Sequence, residues 1–319
     1  MGTSLLKLVA QRVALGILLL FAMSVLIFVG TQILPGDVAQ SILGQQATPE
    51  SLANLREQLG LNDPAYVRYF RWLGGVLTGD LGKALSSGQD IATSIRGRLW
   101  NTLFLAFWSA IVAIPLAVIL GLIAVRYRNG FIDKLISGLA LASTSFPEFF
   151  IGYLLVYFFA VKLQWFPGIS TVYDGMPFLE RMKAIALPAT ALTLVVLAHM
   201  MRMTRAAILN VMQSAYIETA ELKGLRPIEI IRRHAFPNAI APVINVVMLN
   251  LAYLVVGVVV VEVIFVYPGM GQFLVDHVTK RDVPVVQAVG LIFAAVYITL
   301  NIIADVAAIV ANPRLRHPK

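Results

Sequence analysis

The chain has 319 residues, of which 59% are hydrophobic and only 13% charged, with a mean hydropathy of +0.81 and a net charge of +8. Soluble domains carry roughly 25% charged residues, and a water-soluble enzyme of this length could not hide so much apolar surface. The absence of cysteine excludes a disulfide framework, cysteine-ligated zinc, an iron–sulfur cluster and a catalytic thiol, and four scattered histidines speak against a histidine metal cage. A metal site of these kinds and a catalytic thiol are therefore not expected, and the chain as a whole is read as holding no catalytic residue and no cofactor of its own.

A bilayer core of about 30 Å is crossed by about 20 apolar residues in a helix. Six stretches qualify: residues 8–33, 101–125, 131–161, 184–201, 239–261 and 285–310. Lys7 and Arg12 give the first stretch the look of a signal peptide. Its apolar run is too long and no A-x-A-like site follows, so it reads as a retained anchor. The expected fold is all-α, a polytopic integral membrane protein with six transmembrane helices. With the N-terminus in the cytoplasm, the inward segments hold Lys7, Arg12, Arg126, Arg128, Lys134 and the basic residues between Arg202 and Arg233. The outward segments are then nearly neutral. An excess of Lys and Arg belongs inside, so both termini are expected in the cytoplasm. The basic balance is explained by topology, and no nucleic-acid partner is expected.

The external loop 34–100 reads as a small structured cap. Thr48 precedes Pro49 as a helix N-cap and Gly60 closes that helix; a second helix is expected from near Pro64 to near Gly79. Its Tyr69, Trp72 and Leu73 suit contact with a membrane interface. The run Gly79-Asp80-Leu81-Gly82-Lys83-Ala84 has a superficial glycine–lysine likeness to a phosphate loop. It lacks the spacing and the hydroxyl residue that such a loop needs.

Polar residues within the apolar spans carry a default functional reading, because charge in lipid is costly. Glu148 stands beside Pro147 in the third stretch, Asn245 and Asn250 lie in the fifth, and Asn301 and Asp305 share a face of the sixth. Hydrogen bonding between helices competes with pathway lining for all five, and Asp305 is placed to pair with Arg314 or Arg316. Pro115 and Pro147 are expected to kink their helices. His199, beside Met200 and Met201, reads as an interface residue rather than a metal ligand.

The cytoplasmic loop 202–236 carries the most information. Tyr216-Ile217-Glu218-Thr219-Ala220-Glu221-Leu222-Lys223 places its acids early and its lysine late, in the order the helix dipole favours. Gly224 then supplies a left-handed cap, and Pro227 can open a second helix that ends with Arg232, Arg233 and His234 before Pro237. The element is either a solvated, well-capped loop or a rigid knob that docks into a partner.

The run from Glu218 through Ala220 and Gly224 to Pro237 resembles the EAA signature of ABC-importer permeases, with Thr219 where alanine is usual. The resemblance extends along nearly the whole chain to the dipeptide/oligopeptide/nickel permease family. It includes Leu34-Pro35-Gly36-Asp37, Leu59-Gly60-Leu61-Asn62-Asp63-Pro64, Gly79-Asp80-Leu81-Gly82 and Ser145-Phe146-Pro147-Glu148-Phe149. It continues through Glu262-Val263-Ile264-Phe265, Pro268-Gly269-Met270-Gly271, Arg281-Asp282-Val283-Pro284 and Asn312-Pro313-Arg314-Leu315-Arg316. Trp100, Ala308 and Asn312 depart from residues that the family often has.

The resemblance implies an inner-membrane permease subunit that imports peptides, or nickel, glutathione or another small solute. It implies pairing with a second permease, two ATPase subunits that use ATP and Mg, and an extracytoplasmic solute-binding protein. Glu218 and Gly224 would shape a coupling helix, and Tyr216, Ile217, Ala220 and Leu222 would supply its apolar contacts to the ATPase. Arg232 and Arg233 would meet acidic groups of the ATPase or lipid headgroups. An intramembrane enzyme would need a G-x-S-x-G or H-E-x-x-H motif, and neither occurs. A proton-coupled carrier is the alternative from another class.

Overall fold

The computed structural model describes residues 2–33, 38–44, 47–58 and 60–311. Leu34-Pro35-Gly36-Asp37, Leu59 and the Asn312–Arg316 run, with the expected Arg314 or Arg316 partner of Asp305, lie outside them. The described chain is all-α. Its helices are α1 (Gly2–Ile33), α2 (Val38–Leu43), α3 (Pro49–Gln58), α4 (Ala65–Thr78), α5 (Ile91–Arg126), α6 (Phe131–Ser145) and α7 (Glu148–Leu155). They continue with α8 (Phe178–Ala184), α9 (Ala186–Met212), α10 (Ala215–Leu222), α11 (Pro227–Ile230), α12 (Phe236–Ile264), α13 (Met270–Thr279) and α14 (Val283–Ala311). Among the described residues the sole β-type pairing is one bridge between Lys83 and Asp90.

Among the described residues five helices or helical runs are long and apolar enough to cross a membrane, and a sixth span is formed if α6 and the run from Glu148 to Lys162 count as one bent crossing. The continuous helix expected over 131–161 is therefore broken, with a bend of 102°. Pro147 cannot donate to a preceding turn and drives the residue before it out of the helical region. Phe146 is accordingly extended, at φ −89° and ψ 137°. Pro115, by contrast, sits inside α5 without ending it.

Helix ends also move from their expected places. α5 begins at Ile91, well before residue 101, because Asp90 caps it: its Oδ1 accepts from the Thr93 backbone N–H and hydroxyl, both at 2.8 Å. α9 runs on to Met212, so the loop before α10 is much shorter than expected. Pro237 does not end a helix. A π turn, Ile231–Ala235, carries α11 directly into α12. The wider turn accommodates the missing proline N–H, and Asn238 Nδ2 adds a side-chain bond to the His234 carbonyl at 2.7 Å.

The helices form two compact units. One comprises 14–102 and 268–298. Its core gathers Ile91, Ile95, Met270, Phe273, Val285 and Val289. The two helices expected in the external loop are present. Thr48 and Ser51 exchange side-chain-to-backbone bonds at the start of α3, and Gly60 (φ 64°) and Gly79 (φ 84°) are left-handed at the ends of α3 and α4. The expected membrane face of α4 is corrected. Tyr69 is buried, sharing a hydrogen bond of 2.8 Å with Ser24 of α1. Phe28 packs on both Tyr69 and Trp72. The exposed apolar residues of α4 are instead Tyr66, Phe70 and Leu77.

The other unit comprises 2–13, 103–267 and 299–311. Here α9 is central: α12 and α6 pack along it, and α7 touches both α9 and α12. This unit holds the loop between α9 and α12 and the five polar residues singled out in the apolar stretches.

Candidate functional site

The loop between α9 and α12 is a small folded knob. Ser214 starts α10, accepting from the Ile217 N–H at 2.9 Å. At the other end Gly224, at φ 73°, donates to the Glu221 carbonyl, and Leu225 donates to that of Ala220. This paired arrangement is a Schellman cap, which brings the residue after the glycine onto the helix it closes. Ala220 and Leu225 accordingly pack in one cluster with Ile217, Ile230, Ile231, Ala235, Ala239, Val243, Ile208 and Val125.

The helix thus has two different faces. Ile217 and Ala220 are 1% and 5% exposed, turned into this chain's own core. They cannot supply contacts to another subunit, contrary to the expectation. Tyr216 and Leu222 face outward, Leu222 at 83% exposed, with Glu218, Thr219, Glu221, Lys223 and Gly224 around them. The Glu218 carboxylate makes no hydrogen bond to a described residue, so the loop's shape comes from the backbone cap and not from that side chain. Arg233 pairs with Glu229 on the same stretch at 2.7 Å.

A cavity of about 530 Å³ lies among α6, α7, α9 and α12. Ser143, Thr144 and Phe146 enter it from the end of α6, Glu148 from the start of α7, His199 and Met203 from α9, and Leu249, Asn250 and Tyr253 from α12. The break at Phe146-Pro147 explains its location. Non-helical backbone at membrane depth persists only where it is covered by protein or lines a cavity, and here the break forms part of the wall.

Two of the five polar candidates, Glu148 and Asn250, converge on this cavity. Asn250 is buried; its Nδ2 donates to the Val246 carbonyl at 2.7 Å and its Oδ1 lies 3.1 Å from His199 Nδ1. Glu148 stands over Gly257 of α12, where an added Cβ would come within 3.8 Å of Oε2. Its carboxylate has no hydrogen bond or ion pair with any described residue.

The other three candidates lie elsewhere. Asn245 is exposed on α12 and does not line the cavity. Asn301 is half-buried on α14. Asp305 pairs with Arg12 of α1 at 3.0 Å, a partner the sequence reading did not name.

Sequence reasoning missed the cavity's hydroxyls, Ser143 and Thr144, although they stand one turn before the helix-breaking proline. His199 was read as an interface residue, and its bond to Asn250 places it between α9 and α12. Among the described residues no three His, Asp or Glu side chains gather as a metal site.

Comparison with known proteins gives a consistent picture. Residues 113–317 match the family described as binding-protein-dependent transport system inner membrane component, and residues 5–103 match the N-terminal part described for the same systems. A probable peptide ABC transporter permease of Sinorhizobium fredii is 32% identical, with 97% of this chain and 99% of the relative covered. A putative peptide transport system permease of Brucella abortus is 35% identical over the same shares. The glutathione transport system permease GsiC of Escherichia coli K12 is also 35% identical, covering 93% of this chain and 95% of the relative. Among solved structures, the inward-facing MetNI methionine ABC transporter aligns with a TM-score of 0.53 at 17% identity, over 67% of this chain and 94% of that one. That likeness concerns the fold. The chain belongs to the family of binding-protein-dependent transport system inner membrane components, and is a multi-pass permease of the ABC-importer type.

Proposed function

We propose that this permease forms half of an import pathway for peptides or similar small solutes, glutathione included, beside a second, related permease. Two ATPase subunits bind and hydrolyse ATP with Mg, and a solute-binding protein delivers cargo from the other side. Both termini and the α10 knob face the cytoplasm, as the concentration of Lys and Arg in those segments favours. Catalysis of ATP hydrolysis belongs to the ATPase partners. The reading of the substrate rests on the peptide and glutathione permeases among the relatives.

The observation that carries the coupling role is the division of α10. Its inner face is fixed in the core of its own chain by Ile217 and Ala220, while Tyr216 and Leu222 are left outside. An exposed tyrosine and leucine on a rigidly capped helix form an apolar plug suited to a socket on the ATPase. Glu218, Thr219, Glu221 and Lys223 form its polar rim, Gly224 fixes the turn, and Pro237 lies just beyond the π seam into α12. Because Ile208 of α9 and Val243 of α12 share the core beneath α10, movement of the plug carries α9 and α12, two of the four helices that wall the cavity.

The test is reconstitution of the whole importer in liposomes with Leu222→Asp and, separately, Tyr216→Asp. Both variants should insert normally yet lose uptake together with the ATP hydrolysis that loaded binding protein stimulates. Wild-type rates in both would refute the docking role. Uptake that continues without ATP and stops when the proton gradient is collapsed would favour a proton-coupled carrier instead.

A further inference from the structure

Resting on the reading of the cavity as part of the solute pathway, we infer that it is a transit site for a primary ammonium group, held by the Glu148 carboxylate and the ring of His199. The argument starts from hydrogen-bond bookkeeping. Asn250 spends its amide N–H on the Val246 carbonyl, which leaves its Oδ1 turned to His199 Nδ1. An amide oxygen only accepts, so Nδ1 of His199 carries the proton of that bond. The neutral imidazole then keeps Nε2 as an acceptor. Glu148 is likewise acceptor-only when ionised, and it has no partner among the described residues.

The cavity wall therefore offers a free carboxylate and an acceptor ring, with the Tyr253 hydroxyl and with the hydroxyls of Ser143 and Thr144, which donate to the Leu194 and Leu141 carbonyls and keep their oxygens as acceptors. Among the described residues no lysine or arginine lines it. An anionic group entering here would meet an unneutralised carboxylate. An ammonium with three N–H donors would find matching acceptors on separate helices, α7 and α9. The apolar remainder, Phe146, Val195, Val196, Met203 and Leu249, suits the side chains that follow such a group. Peptides and amino-acid derivatives with a free amino end are the solute class this chemistry fits.

The absence of cysteine from the chain permits a direct measurement. Thr144→Cys is placed in the full-length chain, the whole importer is assembled in liposomes, and modification of this chain is followed by its mass. The probes are aminoethyl, hydroxyethyl and sulfonatoethyl methanethiosulfonate, with Ser143→Cys as the second reporter if the first fails to assemble. The aminoethyl reagent should react fastest relative to the neutral one and the sulfonatoethyl reagent slowest. Adding Glu148→Gln should reduce the aminoethyl preference about tenfold, the scale of one charge interaction at a few ångströms in a partly wet site, whereas Glu148→Asp should keep most of it.

Reaction without charge preference, or a preference indifferent to Glu148→Gln, overturns the ammonium site and leaves the pathway reading intact. No reaction with any probe at either reporter refutes the pathway reading itself, and the ammonium site with it. In transport, Glu148→Gln should lower trialanine uptake about tenfold relative to the wild type, in line with loss of that same interaction, while ATP hydrolysis stays stimulated. Unchanged uptake would overturn the inference.

Discussion

Arg205 of α9 grips Asp133 of α6 with two prongs, Nε to Oδ1 at 2.8 Å and Nη2 to Oδ2 at 2.7 Å. The same carboxylate accepts from the Asn129 backbone N–H at 3.0 Å and the Ser137 hydroxyl at 3.3 Å. The Asp133 side chain is 6% exposed and that of Arg205 26%, so this is a largely buried pair in which both carboxylate oxygens are hydrogen-bonded. It fixes the first turn of α6 to α9 one helical turn from Ile208, which sits under the knob. The last turn of α6 lines the cavity. α6 thereby links the α10 knob, near its clamped end, to the cavity at its other end.

Removing one partner of a buried pair leaves the other charge uncompensated, at a cost of about 3 kcal/mol or more. Asp133→Ala should accordingly lower the thermal unfolding temperature of the purified complex. Asp133→Asn preserves the shape and some hydrogen bonds, so it should cost less and reveal a coupling defect instead, as more ATP hydrolysed per solute imported. An unchanged ratio would mean that the clamp is structural only. Exchanging the charges, Asp133→Arg with Arg205→Asp, should recover part of the stability if the pair itself is responsible.

A second clamp holds the segment between α4 and α5. Asp282, 1% exposed, accepts from the backbone N–H groups of Leu85 and Ser86 at 3.1 and 2.8 Å. These donors belong to the turn between α4 and α5, and a hydrogen bond to a charged group contributes about 1.5–3 kcal/mol. Asp282→Ala should therefore speed amide hydrogen exchange in residues 82–90 while exchange in α9 and α12 stays slow. Equal exchange of that turn in variant and wild type would show that other contacts hold it.

The helical content of this protein was legible because it is written in composition and length: stretches of apolar residues long enough to cross a bilayer have few alternatives. The caps were legible too, since Thr48 supplies a side-chain acceptor and Gly60, Gly79 and Gly224 a left-handed backbone that other residues reach only with strain. Relationships between distant residues were not. Nothing local says that Asp133 meets Arg205 or that Asp305 meets Arg12, because such partners are chosen by packing. The direction in which a short helix faces was equally hidden. Ile217 and Ala220 look as available as Tyr216 and Leu222 until α9 and α12 are placed beneath them. Pro147 announced a kink, but a bend of 102° and a cavity at its corner required the neighbouring helices.

The Arg12–Asp305 pair is of a different kind from Asp133–Arg205. Its side chains are 49% and 40% exposed, and ion pairs open to solvent contribute about 0–1 kcal/mol. Asp305→Asn should leave assembly intact and uptake within about twofold of wild type, consistent with an interaction of that size. A double-mutant cycle with Arg12→Ala, read by thermal unfolding, should return a coupling energy below about 1 kcal/mol. A loss of transport beyond tenfold in a well-assembled complex would instead give the Asp305 charge a gating role.

Gly224 offers the sharpest test of the coupling loop, because geometry separates two possible causes of a defect. Its φ of 73° lies in the left-handed region, and a Cβ built on it meets nothing within 4 Å. Any harm from a substitution there is therefore backbone strain and not a clash. Left-handed backbone costs an L-residue about 1–2 kcal/mol, and β-branching adds to it. Gly224→Asn, a residue that tolerates this conformation, should be nearly silent; Gly224→Ala should show a partial defect and Gly224→Val the largest. If the cap opens, Gly224 and Leu225 lose their bonds to the Glu221 and Ala220 carbonyls, and Leu225 leaves the cluster that seats α10. The outward face of Tyr216 and Leu222 then no longer keeps the orientation that the proposed docking needs. Membrane insertion should be equal in all three variants, because the apolar spans set it. Solute uptake and binding-protein-stimulated ATP hydrolysis, measured in liposomes, should fall together in the order Asn, Ala, Val. Equal rates across the series would show that the left-handed cap does not hold the coupling helix in place.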